Sequence, residues 1–189
     1  MKSVKIMSAV ALAASILAVG NASAQSTGGT ITINGAVSDS TCTIVGGGNT
    51  DGASGNFTVA LDPVASTALK APGDTAGAKN FNIIIGGAGQ GSCTDGKVAT
   101  FTFGTSGPRV DSATGTLTNS LTGQATKTNI QLLDENGKAI NLGDASNAAK
   151  SPKIDNNTAV MTMGAQYYAT GQATPGLVNT STTYSVTYN

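Results

Sequence analysis

The sequence predicts an all-β fold, a sandwich of two antiparallel sheets, and three observations carry that expectation. Beyond residue 24, apolar and polar residues alternate in many short runs; turns bearing glycine, asparagine or proline separate the runs; and no stretch keeps a 3.6-residue apolar period for three turns. Many short strands with regular turn signals suit two antiparallel sheets packed face to face. No linker-like composition divides them, so one domain is expected.

Residues 1–24 stand outside that domain. Lys2 and Lys5 precede an apolar run from Ile6 to Gly20, and Ala22-Ser23-Ala24 follows it. This is the order of a secretory signal peptide cleaved after Ala24. A signal-anchor is disfavoured, because the run is shorter than the roughly 20 apolar residues that span a bilayer. Without Lys2 and Lys5 the chain carries two more acidic than basic residues. A charge so weak and dispersed makes no footprint for nucleic acid or an anionic membrane. The remaining sequence has no further apolar run of spanning length, and no series of aromatic-belted strands that would suit an outer-membrane barrel.

The first expected strand is 30–38. Ile31, Ile33, Gly35 and Val37 share one face, with a glycine where a large side chain would be expected. A polar lead, Gln25–Gly29, gives residues 25–38 freedom to extend away from whatever follows. Alternation alone does not say whether such a strand pairs within its own chain or with another. Further strands are expected at 41–45, 56–61, 80–85, 97–103, 116–118, 128–133, 139–141, 159–161, 165–171 and 181–188, and single helical turns at 62–69 and 145–150. Within NIQLLDENGKAINL, Ile130 and Leu132 face Ile140 and Leu142 across an Asp134–Gly137 turn, a hairpin closed by a glycine able to take positive φ. Phe57, Phe81, Phe101 and Phe103 are expected in the core.

Cys42 and Cys93 both lie in the exported part. An oxidising compartment favours one disulfide between them, closing a loop of about 50 residues worth about 4 kcal/mol by chain entropy. Two buried free thiols are the alternative. A metal site is not expected, since the chain contains no histidine and two cysteines cannot complete a tetrahedral shell.

No enzyme is expected either, and no cofactor. The usual bases for a serine or cysteine nucleophile are missing. Asp134 and Glu135 are adjacent carboxylates at a turn, where solvation and turn formation explain them. Gly86–Gly91 superficially suggests a phosphate loop but lacks the Lys-Ser/Thr ending.

The last strand ends at the terminus itself. Tyr184, Val186 and Tyr188 share a face that needs either a core or a partner, and Gly176 follows Pro175 upstream.

On these residues the chain resembles the structural pilins of the chaperone–usher class, the type 1 fimbrial major subunit family. Gly29–Val37 with Cys42-Thr43-Ile44 is similar to an amino-terminal donor strand and first cysteine, and Phe81-Asn82-Ile83 leads to the second, Cys93. Asn129–Leu132 with Asp134 and Gly137 resembles the central hairpin, and Tyr167–Gly171, Thr174–Gly176 and Tyr184–Asn189 the carboxy-terminal signature. Glycine-rich Gly86–Gly91 and the loose stretch Gly46–Gly55 depart from that pattern.

The resemblance implies an incomplete immunoglobulin-like sandwich completed by donor-strand exchange. It implies a signal peptide at 1–24, a donor extension at 25–38 carrying Ile31, Ile33, Gly35 and Val37, and a pilin domain at 39–189. Gly176, Tyr184, Val186 and Tyr188 would line the groove and meet the chaperone. The implied partners are neighbouring copies in a head-to-tail polymer, a periplasmic chaperone, an outer-membrane usher and tip or adaptor subunits. The product would be a fimbrial shaft subunit on the cell surface. An adaptor subunit is the alternative within the class, and a secreted immunoglobulin-like binding module that does not polymerise is the alternative outside it.

Overall fold

A computed structural model of the chain describes residues 40–104, 109–144 and 147–189. The expected signal peptide, the strand 30–38 and its four donor residues lie outside the described residues.

The described strands are β1 (Ile44–Gly46), β2 (Thr75–Gly86), β3 (Val98–Phe103), β4 (Val110–Asp111), β5 (Thr116–Thr118), β6 (Thr128–Leu133), β7 (Ala139–Ile140), β8 (Ala148–Lys153), β9 (Thr158–Ala169) and β10 (Tyr184–Tyr188). They form two sheets. The larger runs β1-β2-β9-β6-β5-β4, with β7 also on β6, and the smaller is β10-β3-β8. Every ladder is antiparallel.

The core lies between the sheets and follows from period-two alternation. On β2, Phe81, Ile83 and Ile85 point inward opposite Met163, Met161 and Ala159 of β9. Ala99, Phe101 and Phe103 of β3 face them from the smaller sheet, joined by Leu117, Ile130 and Leu132. Each large apolar side chain so buried is worth about 1.5–3 kcal/mol relative to exposure. Phe81, Phe101 and Phe103 are fully inside, whereas Phe57 is half-buried against the core edge.

Several expected elements are revised by tertiary context. The strands expected at 159–161 and 165–171 are one, β9, because Gly164 sits in its middle. A Cβ there would lie 3.2 Å from the Leu133 Cβ, so glycine permits close packing of β9 on β6 without ending the strand. The strand expected at 80–85 extends back to Thr75 through a bulge between Ala76 and Lys79, where Gly77 takes φ 65°. The helical turn expected at 145–150 is replaced over its described part by β8. This strand has poor β formers and Pro152, but it is an edge strand, where a missing N–H is tolerated. Ser151 Oγ accepts a hydrogen bond from the Ala99 N–H at 3.0 Å beside the register shift opposite β3. The helical turn expected at 62–69 shrinks to a 3₁₀ turn over Ser66–Ala68.

The predicted hairpin is present as β6–β7. Leu132 pairs with Ile140, the Asp134 N–H donates to the Lys138 carbonyl at 2.9 Å, and Gly137 has φ 75°. Cys42 and Cys93 are joined by a disulfide, which ties the chain ahead of β1 to the loop between β2 and β3.

Candidate functional site: an open strand edge and its seam

The smaller sheet has two edges of opposite character. β8 carries Lys150, Pro152 and Lys153. Lysine and proline on an edge discourage further strand addition. β10 reads Tyr-Ser-Val-Thr-Tyr, with no charge and no proline. The terminal strands of the larger sheet, β1 and β4, are three and two residues long. Among the described residues, β10 is therefore the edge that nothing blunts.

Its hydrogen-bonding parity can be read directly. Asn189 and Val98 exchange both backbone bonds, at 2.9 and 3.1 Å, and the Gly104 N–H donates to the Thr183 carbonyl at 2.9 Å. In an antiparallel ladder such pairs recur at every second residue. Thr183, Ser185, Thr187 and Asn189 thus turn their backbone groups toward β3. Tyr184, Val186 and Tyr188 turn theirs toward the open edge, where no described strand meets them.

The side chains of the same three residues face inward. They pair with Phe103, Phe101 and Ala99 of β3. Those β3 neighbours are 6%, 0% and 0% exposed, while Tyr184, Val186 and Tyr188 remain only half-buried. One strand of the sheet has a complete roof and its neighbour does not.

The other lip of the seam is formed by Cys42 and Ile44 and by Phe57, Val59 and Leu61, all partly buried against the same core. Residues 56–61, expected as a strand, keep the alternating exposure of one but pair with no strand among the described residues. Two tyrosines cross to this lip. Tyr184 Oη donates to the Gly55 carbonyl, and Tyr188 Oη donates to the Cys42 carbonyl at 3.3 Å. The Tyr184 ring stands 6.2 Å from Phe57 and 5.5 Å from Phe101, linking the two flanks. Side chains thus join edges that no backbone ladder joins among the described residues.

Burial raises the pKa of both hydroxyls above the ordinary tyrosine range. The fold therefore favours their neutral, donating form. Their contribution should be intact below the unfolded tyrosine pKa of about 10 and fall as pH rises through the higher folded values. Urea unfolding at about pH 8 and about pH 11 should show a loss of stability in the native chain that is reduced in Tyr184→Phe/Tyr188→Phe. An unchanged pH slope would count against the burial of the two hydroxyls at the seam.

Gly176 lies in the loop before β10, outside that strand. Its φ is 156°, and a Cβ there would stand 2.2 Å from the Ala125 nitrogen and 2.7 Å from the Gln124 carbonyl carbon. Backbone cannot yield at such distances, so glycine is required by the packing of one loop on another. The sequence pointed to this residue but not to its contact. Phe57, Val59 and Leu61, which sequence reading placed in an ordinary strand, are the part of the seam it missed; their alternation was the available signal.

Among the described residues no cluster of three histidine, cysteine or carboxylate side chains could hold a metal ion. A cavity of about 220 Å³ between the β6–β7 turn and β8, lined by Asp134, Glu135, Lys150 and Met161, involves no residue of β10.

The comparisons with known proteins agree with this architecture. The family profile described as fimbrial protein matches residues 31–189. The chain belongs to the fimbrial protein family. It is 36% identical over 163 residues to an F17 fimbrial protein of Escherichia coli, covering 85% of this chain and 87% of that one. It is 35% identical over 185 residues to the major fimbrial subunit SMF-1 of Stenotrophomonas maltophilia, covering 92% of this chain and all of that one. A solved chaperone–usher pilus shares the fold at a TM-score of 0.55 and 17% identity, over 87% of this chain and 98% of its own.

This fimbrial protein is a structural, non-catalytic subunit, as its family is. It has the all-β, incomplete immunoglobulin-like sandwich of fimbrial pilins. It is secreted and assembled at the cell surface by way of the periplasm, and its family implies partners in the chaperone–usher pathway.

Proposed function

We propose that this chain is a pilus shaft subunit that polymerises by donor-strand exchange, with residues 25–38 of one copy completing the seam beside β10 of the next. The reading is supported chiefly by one observation: β10 turns the backbone groups of Tyr184, Val186 and Tyr188 toward a place that no described strand occupies and leaves their inward-facing side chains only half-buried. An added strand supplies main-chain hydrogen bonds along such an edge, and its alternate side chains supply apolar contact. Ile31, Ile33 and Val37 are the large apolar side chains of the extension, and Gly35 gives close backbone approach. Fully desolvating each large side chain would contribute about 1.5–3 kcal/mol before the ordering of the extension is subtracted.

Donor and acceptor are different surfaces of one chain, so the contact is head-to-tail and generates a linear fibre. Before assembly the same uncharged edge is an aggregation hazard. A periplasmic chaperone covers it on this reading, the outer-membrane usher is where an incoming extension replaces the chaperone, and tip or adaptor subunits join through the same contact. Residues 1–24 act as the signal peptide and 39–189 as the pilin domain.

The test is electron microscopy of cells whose sole copy of the subunit lacks residues 25–38 but keeps the signal peptide. Fibres should be absent while the subunit is still exported and held by chaperone. Fibres of normal length would refute the donor assignment.

A further inference from the structure

We propose that Leu121 and Leu177 form a rigid docking platform for the body of a second copy of this chain in the fibre. Which copy is meant rests on the donor-strand reading; the platform itself does not.

Leu177 is 68% and Leu121 is 38% exposed, unusual values for large apolar side chains in a domain whose other leucines pack inward. They lie on two loops that are tied together. Asn119 Nδ2 donates to the carbonyls of Ala125 at 3.0 Å and Leu177 at 2.9 Å, while its Oδ1 accepts from the N–H groups of Leu121 and Asn179. The Leu177 N–H donates to Gln124 Oε1 at 3.0 Å, and the Ser120 N–H to the Asn179 carbonyl at 2.7 Å. Gly176 closes the approach against Ala125. Side chains carried on loops already fixed lose little further freedom on binding.

The composition points the same way. Neither 119–126 nor 170–183 contains a single charged residue. Depletion of charge around exposed apolar anchors is the mark of an interface core rather than of solvated loops.

The occupant follows from what the chain is and where the platform lies. A shaft subunit is surrounded by copies of itself. The loop carrying Leu177 runs straight into Tyr184, the first residue of β10. All ladders here are antiparallel, and a strand added antiparallel to β10 ends beside Tyr184. The body of the donating copy then begins at the end of β10 into which the loop carrying Leu177 runs.

The experiment uses the full chain, expressed with its chaperone and usher, carrying photoreactive benzoylphenylalanine at position 177. At so exposed a site the replacement should not disturb folding. Irradiated fibres should yield subunit pairs on a boiled denaturing gel, with mass spectrometry locating the joined peptide in the body of a second copy. Adding Leu121→Ser should lower that yield roughly tenfold, the equivalent of losing most of one leucine's apolar contact. Fibres in which position 177 joins no other copy would overturn the proposal. The same fibres run unboiled report separately on strand exchange: loss of the detergent-resistant ladder would sink that reading, while the photoproduct still decides the platform.

Discussion

Val186→Pro should yield a subunit that folds but is held more weakly by the chaperone and fails to enter fibres. The backbone N–H of Val186 belongs to the set facing the open edge, since the bonds to β3 come from Thr183, Ser185, Thr187 and Asn189. Proline removes that donor and leaves the existing ladder intact, an arrangement tolerated at a sheet edge. The added strand would lose one hydrogen bond and leave its own carbonyl buried without a partner. Together these cost about 3 kcal/mol, or roughly a hundredfold in the affinity of the open edge for an added strand. Thr187→Pro is the informative contrast. It strikes a bond within the subunit and should lower folding stability itself. In vitro exchange with a synthetic peptide of residues 25–38, followed by gel mobility, measures both. Exchange of Val186→Pro at the native level would mean that the strand does not add at this edge.

Gly86→Ala should be among the most damaging small substitutions in the domain. Gly86 closes β2 at φ 73°, its N–H donating to the Thr43 carbonyl at 2.8 Å. A Cβ would stand 2.2 Å from the Asn157 carbonyl oxygen and 2.5 Å from Cys93 Sγ. Neither neighbour is a flexible side-chain end: one is backbone, the other half of the disulfide. A left-handed alanine costs about 1–2 kcal/mol before any clash, and displacing backbone and a cross-link should bring the total to about 3 kcal/mol or more. Set against domain stabilities of about 5–15 kcal/mol, that would deplete the periplasmic subunit. Gly87→Ala, where a Cβ meets nothing within 4 Å, should be nearly silent. Thermal unfolding of the two purified variants would separate them, and equal midpoints would show that the close approach at Gly86 carries no weight.

The pair of glycines illustrates what a sequence withholds. Gly86–Gly91 reads as one glycine-rich run, and nothing local marks its first member as the position pressed against a disulfide. That distinction depends on Asn157 and Cys93, which reach Gly86 only when β2 pairs with β9 and the loop before β3 folds back. Strand β8 is a similar case. Ala148–Lys153 has neither the β-branched residues nor the alternation of a strand, and it becomes one because the β3 edge accepts it and an Asn156-Asn157 turn, both residues at positive φ, returns the chain into β9. That turn was the available signal. Residues 56–61 fail in the opposite sense: their alternation is that of a strand, but no described strand is beside them to pair with.

The sequence by itself determined the all-β class, the central hairpin, most inward-facing positions and the last strand, because alternation and turn chemistry are local and survive without knowledge of the partner. It also carried the family resemblance that the comparisons establish. Only the tertiary structure decided which strands pair, which glycines are irreplaceable, and that β10 has one occupied and one open side. Pairing is a property of two segments far apart in the chain, and the direction of each backbone N–H is set by the neighbour it meets. The register of Asn189 on Val98 is what turns Tyr184, Val186 and Tyr188 outward along the edge and inward over the core.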